Sequence, residues 1–329
     1  MNGVLNAAVV GVGRVGSRFD EERERKAVWS HVGAYLALPA QFRLAGVCEI
    51  DGENASRFRA RCPDVPVFGD VRELVRTVKP DVVSICTPMA GHAPALMTAL
   101  DAGPPRAAWC EKPLADELGV ARAMVAGCEV RHIPLLVSHV RRWHPLWRRF
   151  KAVVEGGRIG SLQSLRVAMP NRLWSIGSHA IDLLSWLGGE IRRARGLKLP
   201  RLEQDGEPAV GAVFTFASGA AGYLHVIGAK ENLIVEAEAI GDRGRAIASE
   251  LEGTIRIQKF EPSARYRDYK DLGAATVETI PSDETASPFV AMAKELAELA
   301  AGTRSLATCS GADALAVQAT LDELAAESA

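Results

Sequence analysis

Few residues in this chain have types and spacings suited to chemistry, and they lie far apart. Gly11, Gly13 and Gly16 form a GxGxxG set with Arg14 and Val15 inside it. Such a loop turns tightly after a strand and lets bare backbone approach a pyrophosphate at a helix N-terminus, where the dipole is positive. Glu49 closes a second apolar run, FRLAGVCEI, 33 residues after Gly16. A carboxylate there accepts hydrogen bonds from ribose hydroxyls and repels a 2′-phosphate, which predicts NAD and disfavours NADP. Asp51 competes for that role. The usual separation is about 20 residues, so the charged segment Phe19–Trp29, with no apolar stripe, reads as an exposed insertion.

Two further groups suit the chemistry of a carbinol. Lys112 stands just past an apolar strand in AAWCEKPLA. An ammonium at the carboxyl end of a parallel strand faces the ligand crevice, where it stabilises a developing alkoxide and orients a hydroxyl. Glu111 pairs with it, and Pro113 stiffens the turn. His179 lies in WSIGSHAID. Its imidazole titrates near neutrality and can take or return the proton when a carbinol loses hydride. On a helix, Ser175 at i−4 and Asp182 at i+3 share its face. Taken alone, a single helical histidine is more often a packing residue.

Positioning these groups requires alternating strands and helices. Strands are expected at 4–10, 42–50, 80–86, 107–110 and 133–140. Helices are expected at 30–38, 71–78, 88–102 and 114–128, the first two opening on Ser30 and Asp70 as caps. This alternation predicts an α/β fold with a doubly wound parallel sheet over 1–143. Residues 144–329 read as an α+β domain. Helices at 145–155 and 176–187 and a strand at 162–169 precede strands at 210–217, 220–227, 233–240, 245–250 and 254–259. Helices at 288–301 and 312–327 close the chain, the last expected to pack back on the first domain.

The ordered set GVGRVG, VCEID, CTPMAGH, CEKPLA, RRWHP, GRIG and IGSHAIDLL resembles the glucose-fructose oxidoreductase / inositol dehydrogenase / rhizopine-catabolism (Gfo/Idh/MocA) family along the whole chain. The resemblance implies a Rossmann domain, then an α+β domain whose open, largely antiparallel sheet mediates homodimers or homotetramers. It implies NAD(P)-dependent oxidation or reduction of a sugar, nucleotide-sugar or cyclitol carbinol. By position, Gly11, Gly13, Arg14, Val15 and Gly16 match the pyrophosphate loop and Glu49 the ribose acid. Thr87, Pro88 and His92 match the nicotinamide segment, and Arg142 matches an arginine near the cofactor. Glu111 and Lys112 match the EKP pair, with Lys112 the catalytic lysine. His179 matches the catalytic histidine, with Asp182 beside it. Ser175 and His31 are expected at the substrate, His31 through a branch whose first helix carries the insertion.

Two positions depart from the family pattern. Ser175 replaces the aspartate of DxGxH, and a hydroxyl supplies no charge to favour a protonated imidazole. Only Asn171–Trp174 separate Pro170 from Ser175. These departures motivate the alternatives of a non-catalytic NAD-binding sensor, or of an enzyme using bound NAD for redox-neutral sugar chemistry.

Composition excludes other classes. The 329 residues suit about two domains, and 48% hydrophobic with 24% charged residues argues against a disordered or coiled-coil chain. A net charge of −1 gives no general attraction to nucleic acid or anionic membrane. The basic run Arg141–Lys151 therefore reads as Trp143, Trp147 and Phe150 packing inward with arginines outward, Arg141 or Arg142 being the candidate for a phosphate contact. Six cysteines without CxxC spacing read as buried hydrophobes in a reduced, cytoplasmic setting. No metal-ligand spacing, GxSxG motif or bilayer-length apolar run is present.

Overall fold

A computed structural model of the chain describes residues 3–22, 27–170, 172–203, 206–228, 234–281 and 287–327. Residues 23–26 of the expected insertion, Asn171 of the short segment before Ser175, and Leu233 of an expected strand lie outside them. In chain order the first elements are β1 (Leu5–Val10), α1 (His31–Leu36), β2 (Phe42–Cys48), α2 (Gly52–Arg61), β3 (Val67–Phe68), α3 (Val71–Val78), β4 (Val82–Ile85), α4 (His92–Ala102), β5 (Ala107–Cys110), α5 (Leu118–Glu129) and β6 (Leu135–Val137). Then come α6 (Pro145–Glu155), β7 (Leu162–Met169), α7 (Gly177–Gly188), β8 (Ile191–Lys198), β9 (Val210–Phe216), β10 (Ala221–Val226), β11 (Glu236–Gly241) and β12 (Gly244–Ser249). The chain continues through β13 (Thr254–Pro262), β14 (Lys270–Leu272), β15 (Thr276–Thr279), α8 (Pro288–Ala301) and α9 (Gly311–Glu327).

The chain divides into two compact units, Met1–Val140 with Asp283–Gln318, and Arg141–Ser282 with Ala319–Ala329. The expected division at 143 returns only the last helix to the first domain; here α8 and the start of α9 group with it.

The first unit is the expected doubly wound sheet, parallel throughout, in the order β3-β2-β1-β4-β5-β6. Its central strands β4 and β5 are buried at every position, because a sheet covered by helices on both faces leaves no polar alternation. Helices α1, α2 and α3 open on side-chain caps. Ser30, Asp51 and Asp70 accept from the backbone N–H groups of Gly33, Asn54 and Glu73 at 2.9, 2.8 and 2.8 Å. The edge strand β6 is partly covered by the chain after α8, where Val137 N–H donates to Cys309 O at 3.0 Å.

The first helix is interrupted and resumed. Ser17 and Phe19 N–H donate to the Gly13 and Arg14 carbonyls at 3.0 and 2.8 Å, forming one turn after the glycine loop. The chain then leaves, and His31 and Val32 N–H donate to the Val15 and Gly16 carbonyls at 3.2 and 3.0 Å. Residue 31 thus takes up the helix almost where residue 17 left it.

The second unit holds a nine-stranded sheet in the order β14-β13-β12-β11-β7-β10-β9-β8, with β15 also on β13. It is largely antiparallel as expected, with one parallel pair, β7 with β10. Helices α6 and α7 pack on it. Strand β8 escapes the sequence reading because IRRARGLK carries three arginines on an exposed edge, which blunts pairing and hides the apolar pattern. In the basic run, Trp143, Trp147 and Phe150 are buried and Arg148 and Arg149 exposed, as expected. All six cysteines are buried and free. Burial pushes the Cys48 and Cys128 thiols up to about 11 and about 12, so they stay protonated and inert. Among the described residues no helix is long and apolar enough to cross a membrane.

Candidate active site

The carboxyl ends of the first unit's strands are laced together. Gly11 N–H donates to Cys48 O and Cys86 N–H to Val10 O, both at 2.8 Å. Glu111 N–H donates to Ile85 O at 2.9 Å, and Ser138 N–H to Cys110 O at 3.0 Å. This register sets the glycine loop, Glu49, Thr87, Glu111 and Lys112 along one edge of the sheet, where open α/β folds bind ligands.

Each glycine of the loop meets a different demand. Gly11 has φ +87°, and a Cβ there would meet Cys86 O at 2.8 Å. A Cβ on Gly16 would lie 2.1 Å from Gly11 O. At Gly13 the nearest atom would be Asn54 Nδ2 at 3.9 Å, so that backbone is bare for a phosphate to approach. Arg14 is exposed, with its guanidinium 4.6 Å from the Phe19 ring centroid. Val15 enters through its carbonyl, which starts the resumed helix.

Glu49 is half-buried and folds back on the loop. Its Oε2 accepts from Val12 N–H at 2.8 Å and its Oε1 from Asp51 N–H at 2.9 Å. The competitor Asp51 is occupied as the cap of α2.

Beyond β4, Thr87 and the exposed Pro88 lead into α4. His92 is fully buried and ties two loops together. Its Nε2 lies 2.9 Å from Thr87 O, and its Nδ1 lies 3.0 Å from Pro113 O and 3.2 Å from Leu114 O. Burial pushes its pKa down, against the pull of Glu111 and the three carbonyls. With 1% exposure, its ring holds the Thr87 and Pro113–Leu114 loops together.

Lys112 is half-buried, two residues past β5, and its peptide to Pro113 is cis. Glu111 is buried beside it. Burial alone would raise its carboxyl, but the His31 hydrogen bond, Lys112 and the Ser138 hydroxyl together hold it below the usual carboxylate value. His31 is 0% exposed. Its Nε2 lies 3.1 Å from Glu111 Oε1 and its Nδ1 3.0 Å from Ser84 Oγ. Tyr35 Oη lies 2.7 Å from the same Ser84 hydroxyl.

In the second unit, His179 is half-buried in the first turn of α7. Ser175 precedes that helix rather than lying on it. Asp182 is 1% exposed and bound by Arg142, whose Nε lies 3.0 and 3.2 Å from its two oxygens and whose Nη2 lies 2.8 Å from Oδ1. Arg142, expected beside a cofactor, is therefore buried and committed to Asp182. The sequence reading also missed Glu207, whose Oε2 accepts from Trp174 and Ser175 N–H at 3.0 and 2.9 Å. It brings a carboxylate to the backbone of the turn where the family aspartate is absent. Sitting 32 residues after Ser175 in an irregular segment, it leaves no local signal.

Residues 5–139 match the Gfo/Idh/MocA profile, described as an oxidoreductase family with an NAD-binding Rossmann fold. That match lies within the first unit and covers less than half of the chain. An inositol 2-dehydrogenase of Corynebacterium glutamicum (strain R) is 25% identical over 215 residues, 61% of this chain and 59% of that protein. The match thus spans about three-fifths of that relative's length. An oxidoreductase of Agrobacterium radiobacter, solved with NAD+, L-tartaric acid and magnesium, superposes with a TM-score of 0.79 at 18% identity over 99% of this chain and 96% of that one. A super-repressor mutant of Gal80p from Saccharomyces cerevisiae superposes with a TM-score of 0.78 at 14% identity, over 99% of this chain and 96% of that one. At such identities these neighbours report the shared fold alone.

Proposed function

We propose that the chain is an NAD-dependent oxidoreductase that moves hydride between the dinucleotide and a carbinol or keto carbon of a sugar- or cyclitol-like substrate. The observation that carries this reading is the shared sheet edge. One register brings the bare glycine loop, Glu49 and Lys112 to the carboxyl ends of β1, β2 and β5. The glycine loop would hold the pyrophosphate through backbone N–H groups. Glu49 retains lone pairs for ribose hydroxyls and would repel a 2′-phosphate. The dinucleotide, when bound, accepts or donates the hydride. Lys112 orients the substrate hydroxyl and stabilises negative charge on its oxygen. His179 takes the hydroxyl proton in oxidation and returns it in reduction.

The test follows nicotinamide absorbance against a panel of sugars, nucleotide sugars and cyclitols. Turnover that Lys112→Met lowers by at least about 1,000-fold, with NAD affinity kept within about threefold by calorimetry, supports the assignment. Unchanged turnover removes Lys112 from the mechanism. The second reading, a non-catalytic dinucleotide-binding protein, is favoured by Ser175 at the family's aspartate position. NADH binding without turnover across the panel would select it. The exposed row of Leu197, Val213 and Tyr223 on β8–β10 is the surface proposed to meet another copy of the chain.

A further inference from the structure

We propose that His31 is a positioning residue for Lys112: buried behind the sheet edge, it fixes the Glu111 carboxylate as an anion that orients and charge-pairs the ammonium. Only the kinetic part of this proposal rests on the dehydrogenase reading.

With a neutral His31 ring, the hydrogen-bonding groups around an ionised Glu111 fall into one order. A carboxylate only accepts, so His31 Nε2 must carry the proton it shares with Oε1. A neutral ring then has an accepting Nδ1, which takes the Ser84 hydroxyl proton across 3.0 Å. With its own proton spent, Ser84 accepts from Tyr35 Oη at 2.7 Å. Tyr35 supports that direction: burial outweighs its Ser84 bond and pushes the phenol upward, so it stays a donor. The chain of donors runs from α1 through β4 and back, and ends on the carboxylate whose Oε2 also accepts from the Lys112 backbone N–H at 3.3 Å.

The ring is held as well as bonded. Its centroid lies 3.8 Å from that of Trp109, and Phe289 of α8 meets it edge-on at 5.5 Å. The groups facing Glu111 are few. His31 comes from α1, His92 from α4, Cys86 from the end of β4 and Ser138 from the end of β6, with Cys110 and Lys112 on either side in sequence. His92 spends its nitrogens on carbonyls, and Cys86 and Cys110 are thiols pushed up by burial. His31 and Ser138 are side chains that donate to the carboxylate. Removing the His31 donor leaves a buried carboxylate under-satisfied, and such a group takes a proton instead. Lys112 then loses its counter-charge.

The full-length protein is tested as His31→Leu, which removes the donor, and His31→Gln, which keeps a neutral one. Glu111 is followed by carboxyl carbon NMR, assigned with Glu111→Gln, and Lys112 by its ammonium nitrogen. The expected result for His31→Leu is a Glu111 midpoint raised by at least about one pH unit and a lowered Lys112 midpoint. With His31→Gln both stay near wild type. In the kinetic arm, kcat falls at least about 10-fold in His31→Leu, the acid limb of its pH profile moves up, and NAD affinity is unchanged. His31→Gln rescues both. Unmoved Glu111 and Lys112 midpoints, or equal losses in the two variants, would overturn the proposal and leave His31 as packing. Should His31→Leu not fold, Ser84→Ala releases the ring tautomer and must raise the Glu111 midpoint in the same direction; no change there is equally decisive. A wild type without turnover on any substrate defeats the dehydrogenase reading, and the two NMR titrations still judge His31.

Discussion

Glu49 shows how little separates two cofactors at the residue scale. Its carboxylate is fixed on the glycine loop through Val12 N–H and has lone pairs left over. Glu49→Ser removes the charge that opposes a 2′-phosphate. The ratio of NAD to NADP affinity, measured by calorimetry, should fall by at least about 10-fold, the equivalent of about 1.4 kcal/mol. An unchanged ratio would mean that Glu49 only braces the loop. The buried Arg142–Asp182 pair makes a different prediction. Asp182→Asn leaves the guanidinium 4% exposed without its counter-ion, which should cost about 3–5 kcal/mol in urea unfolding. A loss under about 1 kcal/mol would show that water reaches the pair.

At the scale of elements, the glycine loop separates folding from binding. Gly16→Ala forces a Cβ onto Gly11 O and should destabilise the first unit by at least about 2 kcal/mol. Gly13→Ala meets open space, so thermal stability should hold while NAD affinity drops by about 10-fold or more. Equal effects from the two would undo the assignment of separate roles. Contiguity decides what could be read here without coordinates. GVGRVG and CEKP carry their meaning within a few residues, and the capped helices announce themselves through Ser30 and Asp70. Helix α2 does not, because GENASRFRAR buries only Ala55 and Phe58 and shows almost no apolar stripe. His31 and Glu111 are 80 residues apart, and nothing local in either segment marks their meeting. The same distance problem hides Arg142 from Asp182, so a helix-face argument gave that aspartate to His179 instead.

For the whole molecule, buried carboxylates set the response to acid. Glu111 lies below its ordinary value for the reasons given above. Burial would raise Glu250, but Arg141, the Trp147 indole N–H and His144 outweigh it and hold it low. A carboxyl lowered by folding contributes its full stability above about pH 4.3 and loses it as pH falls through the depressed folded value. Glu250→Gln should therefore cost about 1–3 kcal/mol near neutral pH and flatten the acid side of the stability curve. Parallel curves for variant and wild type, by urea unfolding across pH, would exclude Glu250 from that response.

The two-part first unit also bears on where the gene can be cut. The recognisable stretch ends at residue 139, but Phe289 of α8 sits 5.9 Å from Trp109 and closes over the His31 ring. An expression fragment stopped at that homology limit would leave both aromatic rings wet and the β6 edge bare. It should come out as an aggregating product, whereas an excision that spares 283–318 retains the missing wall.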